Sequence, residues 1–144
     1  MDGRLATVEN LGFLLAKASQ RWNEALYEEF VREGFAEVRP AYGSILLPLF
    51  EEDSLRMGEL GARARLSKQT MTTLVRLMER NGLVARERDP ADGRAFRVRL
   101  TARARAFEPV AERVLVRLEE RVATRLSSTD RTILTHSLKE VLSL

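Results

Sequence analysis

Residues 82–101 read Gly82-Leu83-Val84-Ala85-Arg86-Glu87-Arg88-Asp89-Pro90-Ala91-Asp92-Gly93-Arg94-Ala95-Phe96-Arg97-Val98-Arg99-Leu100-Thr101. Two runs, 84–88 and 96–100, alternate enough to be strands, and Asp89-Pro90-Ala91-Asp92-Gly93 between them is rich in turn formers. The reading is a hairpin with Arg94 carried away from the body at its tip. Just upstream, Ser67 is a good N-cap for a helix whose apolar positions Met71, Leu74, Val75 and Met78 recur every three or four residues. Asn81-Gly82 suits a left-handed stop to that helix. Before it, Ser54-Leu55-Arg56 is short and extended, and Met57-Gly58-Glu59-Leu60-Gly61-Ala62-Arg63-Ala64 is a brief helix weakened by two glycines. Two helices joined by a short turn form a candidate helix-turn-helix, and the basic hairpin after them supplies a wing.

Outward from this unit, the chain is helical at both ends. Leu11, Leu14, Leu15, Ala18, Trp22, Ala25, Leu26 and Phe30 mark one face of a long helix over 10–30, which Gly34 ends. A second helix starts near Pro40 and runs through Ile45, Leu46 and Leu49. Pro48 is expected to distort its end, and Glu51-Glu52-Asp53 reads as a loop. After Thr101, Phe107, Val110, Val114, Leu115, Leu118, Val122 and Leu126 form another broad apolar stripe. Thr129 or Asp130 can cap a last helix carrying Ile133, Leu134, Leu138, Val141 and Leu142. Helices this apolar at both termini need something to pack on, and a second copy of the chain is the economical answer.

At 144 residues, 44% hydrophobic and 31% charged, the chain suits one soluble domain, and no run approaches the length of a membrane span. The segment Met1-Asp2-Gly3-Arg4-Leu5 has no apolar signal core, so the cytoplasm is the expected compartment. With no cysteine there is no disulfide, thiolate metal site or thiol redox sensor. The net charge of +3 is unevenly spread. Residues 1–53 hold 5 Lys and Arg against 10 Asp and Glu, residues 54–107 hold 13 against 5, and residues 108–144 hold 6 against 6. A basic centre between acidic and neutral flanks puts a polyanion-binding surface in one subregion and leaves the flanks for other work.

On the helix after Ser67, the face opposite its apolar stripe presents Lys68, Gln69, Thr72, Thr73 and Arg76. Gln can pair with adenine, Arg with guanine, and a Thr methyl can touch that of thymine, so this face can read bases. Arg94 fits a narrow, electronegative minor groove. Asp92, an acid in a loop that would face DNA, reads as an orienting partner for an arginine, either Arg94 or one near the recognition helix. Arg86, Arg88, Arg97 and Arg99 add expected phosphate contacts, which position without specifying. For each residue the plain alternative is a solvated surface side chain; the cluster carries the inference.

These residues resemble the MarR family of winged helix-turn-helix transcriptional regulators, over nearly the whole chain. The most specific part is Leu66-Ser67-Lys68-Gln69-Thr70-Met71-Thr72, Leu74-Val75, Glu79, Leu83-Val84, Arg86, Asp89-Pro90, Asp92, Arg94 and Leu100-Thr101. The resemblance implies a mainly α fold with a small β-hairpin wing (α+β). It divides one domain, 1–144, into dimerisation helices at 1–38 and 105–144 and a DNA-binding lobe at 39–104. It implies a homodimeric repressor on a roughly palindromic double-stranded operator, contacted by Ser67, Lys68, Gln69, Thr70, Thr72, Thr73 and Arg76 and, from the wing, by Arg86, Arg88, Asp92, Arg94 and Arg97. It also implies a small anionic or aromatic effector held where the dimerisation helices meet that lobe, with Arg21, Trp22 and Tyr42 in the bordering segments, and no cofactor. Three positions depart from the pattern. Thr73 stands where many members have arginine, Arg76 where an acid is common, and Ala104 where glycine usually follows the wing. The last implies that the final strand runs directly into a continuous helix. Lack of cysteine excludes the peroxide-sensing branch.

Catalysis has little to stand on. His136 is the sole histidine and lies in the apolar carboxy-terminal helix, where it reads as a surface or interface residue. There is no metal-ligand spacing and no Gly-x-x-x-x-Gly-Lys loop. The rival from another class is a helical protein-interaction module whose basic centre is ordinary solvated surface.

Overall fold

The computed structural model describes residues 3–144; Met1 and Asp2, the start of the amino-terminal segment read above, lie outside the described residues. Helix α1 spans Leu11–Arg32, opened by Asn10, whose side chain accepts from the amides of Gly12 and Phe13. A 3-10 turn, Pro40–Tyr42, leads into α2, Gly43–Glu51. Then come β1 (Leu55–Arg56), α3 (Met57–Ala64), α4 (Lys68–Arg80), β2 (Val84–Arg88), β3 (Phe96–Leu100), α5 (Ala102–Ala123) and α6 (Ser128–Leu142).

Three helices end in the same way. At the end of α1 the Phe35 amide bonds the Phe30 carbonyl and the Gly34 amide that of Val31, with Gly34 left-handed at φ 87°. At the end of α4 the Leu83 and Gly82 amides bond the Met78 and Glu79 carbonyls, with Gly82 at φ 72°. At the end of α3 the Leu66 and Arg65 amides bond the Gly61 and Ala62 carbonyls, but the left-handed seat is held by Arg65, at φ 56°. This motif satisfies the carbonyls that a helix end leaves over, and it favours glycine because a Cβ crowds the left-handed region.

Pro48 does not end α2. The helix continues to Glu51, so Glu51 belongs to it and the loop begins one residue later than expected. Asp53 is more than loop: its carboxylate accepts from the Leu100 amide and from Arg105, tying the end of β3 and the start of α5 to the turn before β1. Residues 55–56, expected only to be extended, pair with β3, giving an antiparallel sheet ordered β1-β3-β2 with Leu55 opposite Val98 and Arg86 opposite Val98 on the other side. Thr101 caps α5 by accepting from the Ala104 amide, so strand passes directly into helix, as Ala104 implied. Pro109 sits inside this continuous helix.

One core joins the elements. Ile45, Leu49, Leu60, Met71, Val75, Met78, Leu83 and Val98 fill the lobe, while Ala25, Leu26 and Phe30 of α1 meet the Phe107 side of α5. The Phe30 and Phe107 rings meet edge to face at 4.9 Å. Outside that contact, Arg117 bridges Glu33 at 2.7 Å and Glu29 at 3.6 Å. The Arg117 hydrogen bond, helped by Arg113 and opposed by burial, holds the Glu33 carboxyl below its usual range. The chain ends are different. Helix α6 has no buried residue and leaves Ile133, Leu134, Leu138 and Leu142 exposed, and Leu11, Phe13 and Leu14 are exposed on α1. Among the described residues no helix is long and apolar enough to cross a membrane.

Candidate nucleic-acid interface

Helix α4 buries Met71, Val75 and Met78 and exposes everything opposite them. At 100° per residue, Gln69, Thr73, Arg76 and Arg80 form the outermost stripe. Their side chains make no hydrogen bond or ion pair among the described residues, nor does Lys68 through its ammonium. The other expected readers are engaged. Ser67 Oγ accepts from the Thr70 amide at 3.2 Å and donates to the Thr70 hydroxyl at 2.9 Å, so this pair builds the cap. The Thr72 hydroxyl donates to the Lys68 carbonyl at 3.0 Å. Arg80 was missed in the sequence reading, although its four-residue step from Arg76 is the signal that finds it.

The wing is organised by an acid that the sequence reading left in the turn. Asp89 is 3% exposed, the sole buried charged residue among those described. One carboxylate oxygen accepts from the Ala91 amide at 2.9 Å; the other faces Arg56 Nε at 2.5 Å and Arg97 Nε at 3.5 Å. Arg97 also donates to the Ser54 carbonyl, so the root of the wing is fastened to β1. The Ala91 amide, opposed by burial and reinforced by Arg56 and Arg97, holds the Asp89 carboxyl below its ordinary value of 3.8. Asp92 does not hold a guanidinium. It accepts from the backbone amide of Arg94 at 3.0 Å, shaping the turn that presents that side chain. The orienting acid for arginines is therefore Asp89, which gives one oxygen to the amide two residues on, as Asp92 does, and the other to Arg56 and Arg97.

Of the wing arginines, Arg94 alone makes no side-chain hydrogen bond, ion pair or ring contact among the described residues. Arg86 bridges Glu79 at 2.8 Å, joining the wing to α4, and Arg88 donates to the Gly93 carbonyl at 2.7 Å. Both guanidiniums lie under 6 Å from the Phe96 ring centre. Arg99 pairs with Glu87 at 3.3 Å. Geometry thus separates one unattached probe at the tip from four arginines that first hold the wing together.

Residues 46–95, from α2 to the wing turn, match the model of the MarR family. The chain is 36% identical over 80 residues to an HTH-type transcriptional repressor of Mycobacterium tuberculosis, covering 56% of this chain and 58% of that protein. Among solved structures, the PcaV transcriptional regulator from Streptomyces coelicolor, in complex with its natural ligand, superposes with a TM-score of 0.82 at 21% identity over 97% of both chains. The transcriptional repressor CouR, bound to a 23-mer DNA duplex, superposes with a TM-score of 0.80 at 24% identity over 99% of both. The lobe from α2 to the wing turn thus resembles the MarR family. It spans little more than half the length of the curated relatives it matches.

The three residues expected near an effector do not converge. Tyr42 is buried in the lobe, where its hydroxyl accepts from Asn81 Nδ2 at 2.8 Å. Arg21 and Trp22 line a surface depression of about 480 Å³ between α1 and α5, together with Leu118, Arg121 and Arg125. A separate apolar hollow of about 60 Å³ lies between α1, α2 and α5, lined by Phe30, Leu46, Phe50, Phe107 and Leu115, with Arg39 at its margin. Tyr42 lines neither. His136 is exposed on α6, 4.0 Å from Glu140.

The Asp89 geometry sets a pH dependence. A carboxyl whose folded pKa is lowered contributes stability that is complete above its unfolded pKa and disappears as pH falls through the folded one. The wing root is therefore expected to stay ordered until the pH is below 3.8, the ordinary Asp value. The Ala91 amide chemical shift, which reports protonation of its acceptor, checks this. In Asp89→Asn, amides of residues 89–95 are expected to exchange faster while those of α5 do not; unaltered exchange in the wing would contradict its role.

Proposed function

We propose that the protein is a homodimeric, sequence-specific DNA-binding transcriptional repressor. The observation that carries this reading is the unattached outer stripe of α4, Gln69, Thr73, Arg76 and Arg80, beside a wing that presents Arg94 alone. In a folded protein, long polar side chains left without partners on one basic face suit a polyanion, and their types suit base edges. Ser67, Lys68, Thr70 and Thr72 stand at the helix end that would meet the backbone. Arg86, Arg88 and Arg97, with Asp92 shaping the turn, support the wing. Two copies of α4 about 34 Å apart would enter successive major grooves of a pseudo-palindromic operator.

The dimer is supported by the apolar side chains left in solvent on α1 and α6, since a patch of that kind marks an interface. Leu134→Glu is expected to give a folded monomer in light scattering, with circular dichroism retained because Leu134 is 44% exposed in the single chain. A stable dimer from that variant would place the interface elsewhere. Relief by a small anionic or aromatic effector is the remaining part of the reading. It is supported by the depression that holds Trp22 beside Arg21, Arg121 and Arg125, and it needs a differential affinity of about 1–3 kcal/mol between the two states. Selection of bound duplex from a random pool, with and without small aromatic acids, tests operator and effector together. Recovery of no enriched site would end the DNA-binding reading.

A further inference from the structure

The turn of the helix-turn-helix contains a residue that the DNA-binding reading does not use. Arg65 occupies the left-handed position that closes α3, where the equivalent seats after α1 and α4 are held by Gly34 and Gly82. A side chain there strains the backbone, so its presence calls for a contact that glycine cannot make. That contact is 77 residues away: Arg65 Nη2 donates to the Leu142 carbonyl at 2.6 Å. Leu142 is the last residue of α6, and its carbonyl lies beyond the helix's own hydrogen bonds, at the negative end of the helix dipole. The other end of α6 is held by Arg131, which is bidentate to Glu119 of α5. Helix α6 has no buried residue within the chain, so these polar ties set where it lies against the lobe.

Arg65 also stands two residues before Ser67, the cap of α4. We propose that Arg65 is a positioning residue for DNA recognition, one that locks the amino-terminal end of the recognition helix to the carboxy-terminal end of α6 and so sets the separation of the two recognition helices. This rests on the homodimeric DNA-binding reading. If α6 is fixed in the dimer interface, the Leu142 carbonyl is a fixed point, and each lobe is referred to it through one guanidinium. The strained backbone makes the link stiff, because the side chain leaves from a turn whose own hydrogen bonds are already complete.

The test separates positioning from stability. Arg65→Gly suits the left-handed seat and cannot reach Leu142; Arg65→Asn tolerates the same backbone and is also too short. The chain has no cysteine, so Gly58→Cys on α3, where a new Cβ meets nothing within 4 Å, gives one spin label per subunit in the full-length protein. The inter-subunit distance distribution is expected to be narrow with Arg65 and wider or shifted in both variants, with thermal midpoints held. Discrimination between a selected duplex and the same duplex with two base pairs inserted between its half-sites is expected to fall about fivefold. Distributions and discrimination unchanged from the parent would overturn the proposal. Widening accompanied by a lowered midpoint in both variants would overturn it too, reducing Arg65 to a stabilising contact. Absence of any inter-subunit distance would instead remove the dimer on which it rests, and the proposal with it.

Discussion

Raising the salt concentration from 50 to 200 mM is expected to weaken binding to a selected duplex by about 10⁴-fold. Lys68, Arg76, Arg80 and Arg94 are exposed cations on the proposed face without an ion-pair partner among the described residues, and a dimer would present each of them twice. Eight cations placed in the field of the duplex, whether against phosphates or within a groove, displace counterions with a log–log slope of about −7, and the fourfold rise in salt then costs about 6 kcal/mol. The paired arginines are not counted, because Arg86, Arg88, Arg97 and Arg99 already have oxygen partners and release fewer counterions on binding. The slope therefore distinguishes the two groups: about −7 for the unattached set, and near twice that if every wing arginine met a phosphate. A flat response would favour a protein-interaction module with a solvated basic surface.

Arg76→Ala and Arg94→Ala are each expected to cost about 2–6 kcal/mol in operator affinity without altering dimerisation. A single specific arginine contact is worth about 1–3 kcal/mol, and the symmetric complex loses two that are far enough apart to add. The two variants should differ in kind. Arg76 points outward from the middle of the recognition helix, so its loss relaxes base preference at one position per half-site. Arg94 leaves the wing from a turn set by its own amide on Asp92, so its loss lowers affinity more evenly and weakens any preference for a narrow minor groove. Competition gel shifts at matched salt with single-base operator variants measure both. Equal affinity for parent and variants would remove these residues from the interface.

How much of this was legible beforehand follows the range of the interactions. The Ser67 cap, the Gly34 and Gly82 stops and the turn from Asp89 to Ala95 rest on hydrogen bonds spanning at most six residues, and these were readable. Pro48 misled because a proline removes one local bond, while Ile45, Leu46 and Leu49 around it are buried and hold α2 together to Glu51. Tyr42 misled because an aromatic two residues after a proline has no local mark that distinguishes a core position from a pocket wall. Its hydroxyl is claimed by Asn81, 39 residues on.

Local chemistry alone, then, laid down the helix order, the hairpin, the basic middle and the candidate readers on α4, since periodicity, caps and charge are properties of neighbouring residues. Folding in three dimensions decided which cations remain unattached. Asp89 reaches back to Arg56, Glu79 takes Arg86, and Arg65 spans to Leu142, so the arginines that looked alike in the chain divide into struts and a few probes. The physical reason is that a guanidinium's role depends on which oxygen the fold brings within about 3 Å of it, and that oxygen is seldom close in sequence.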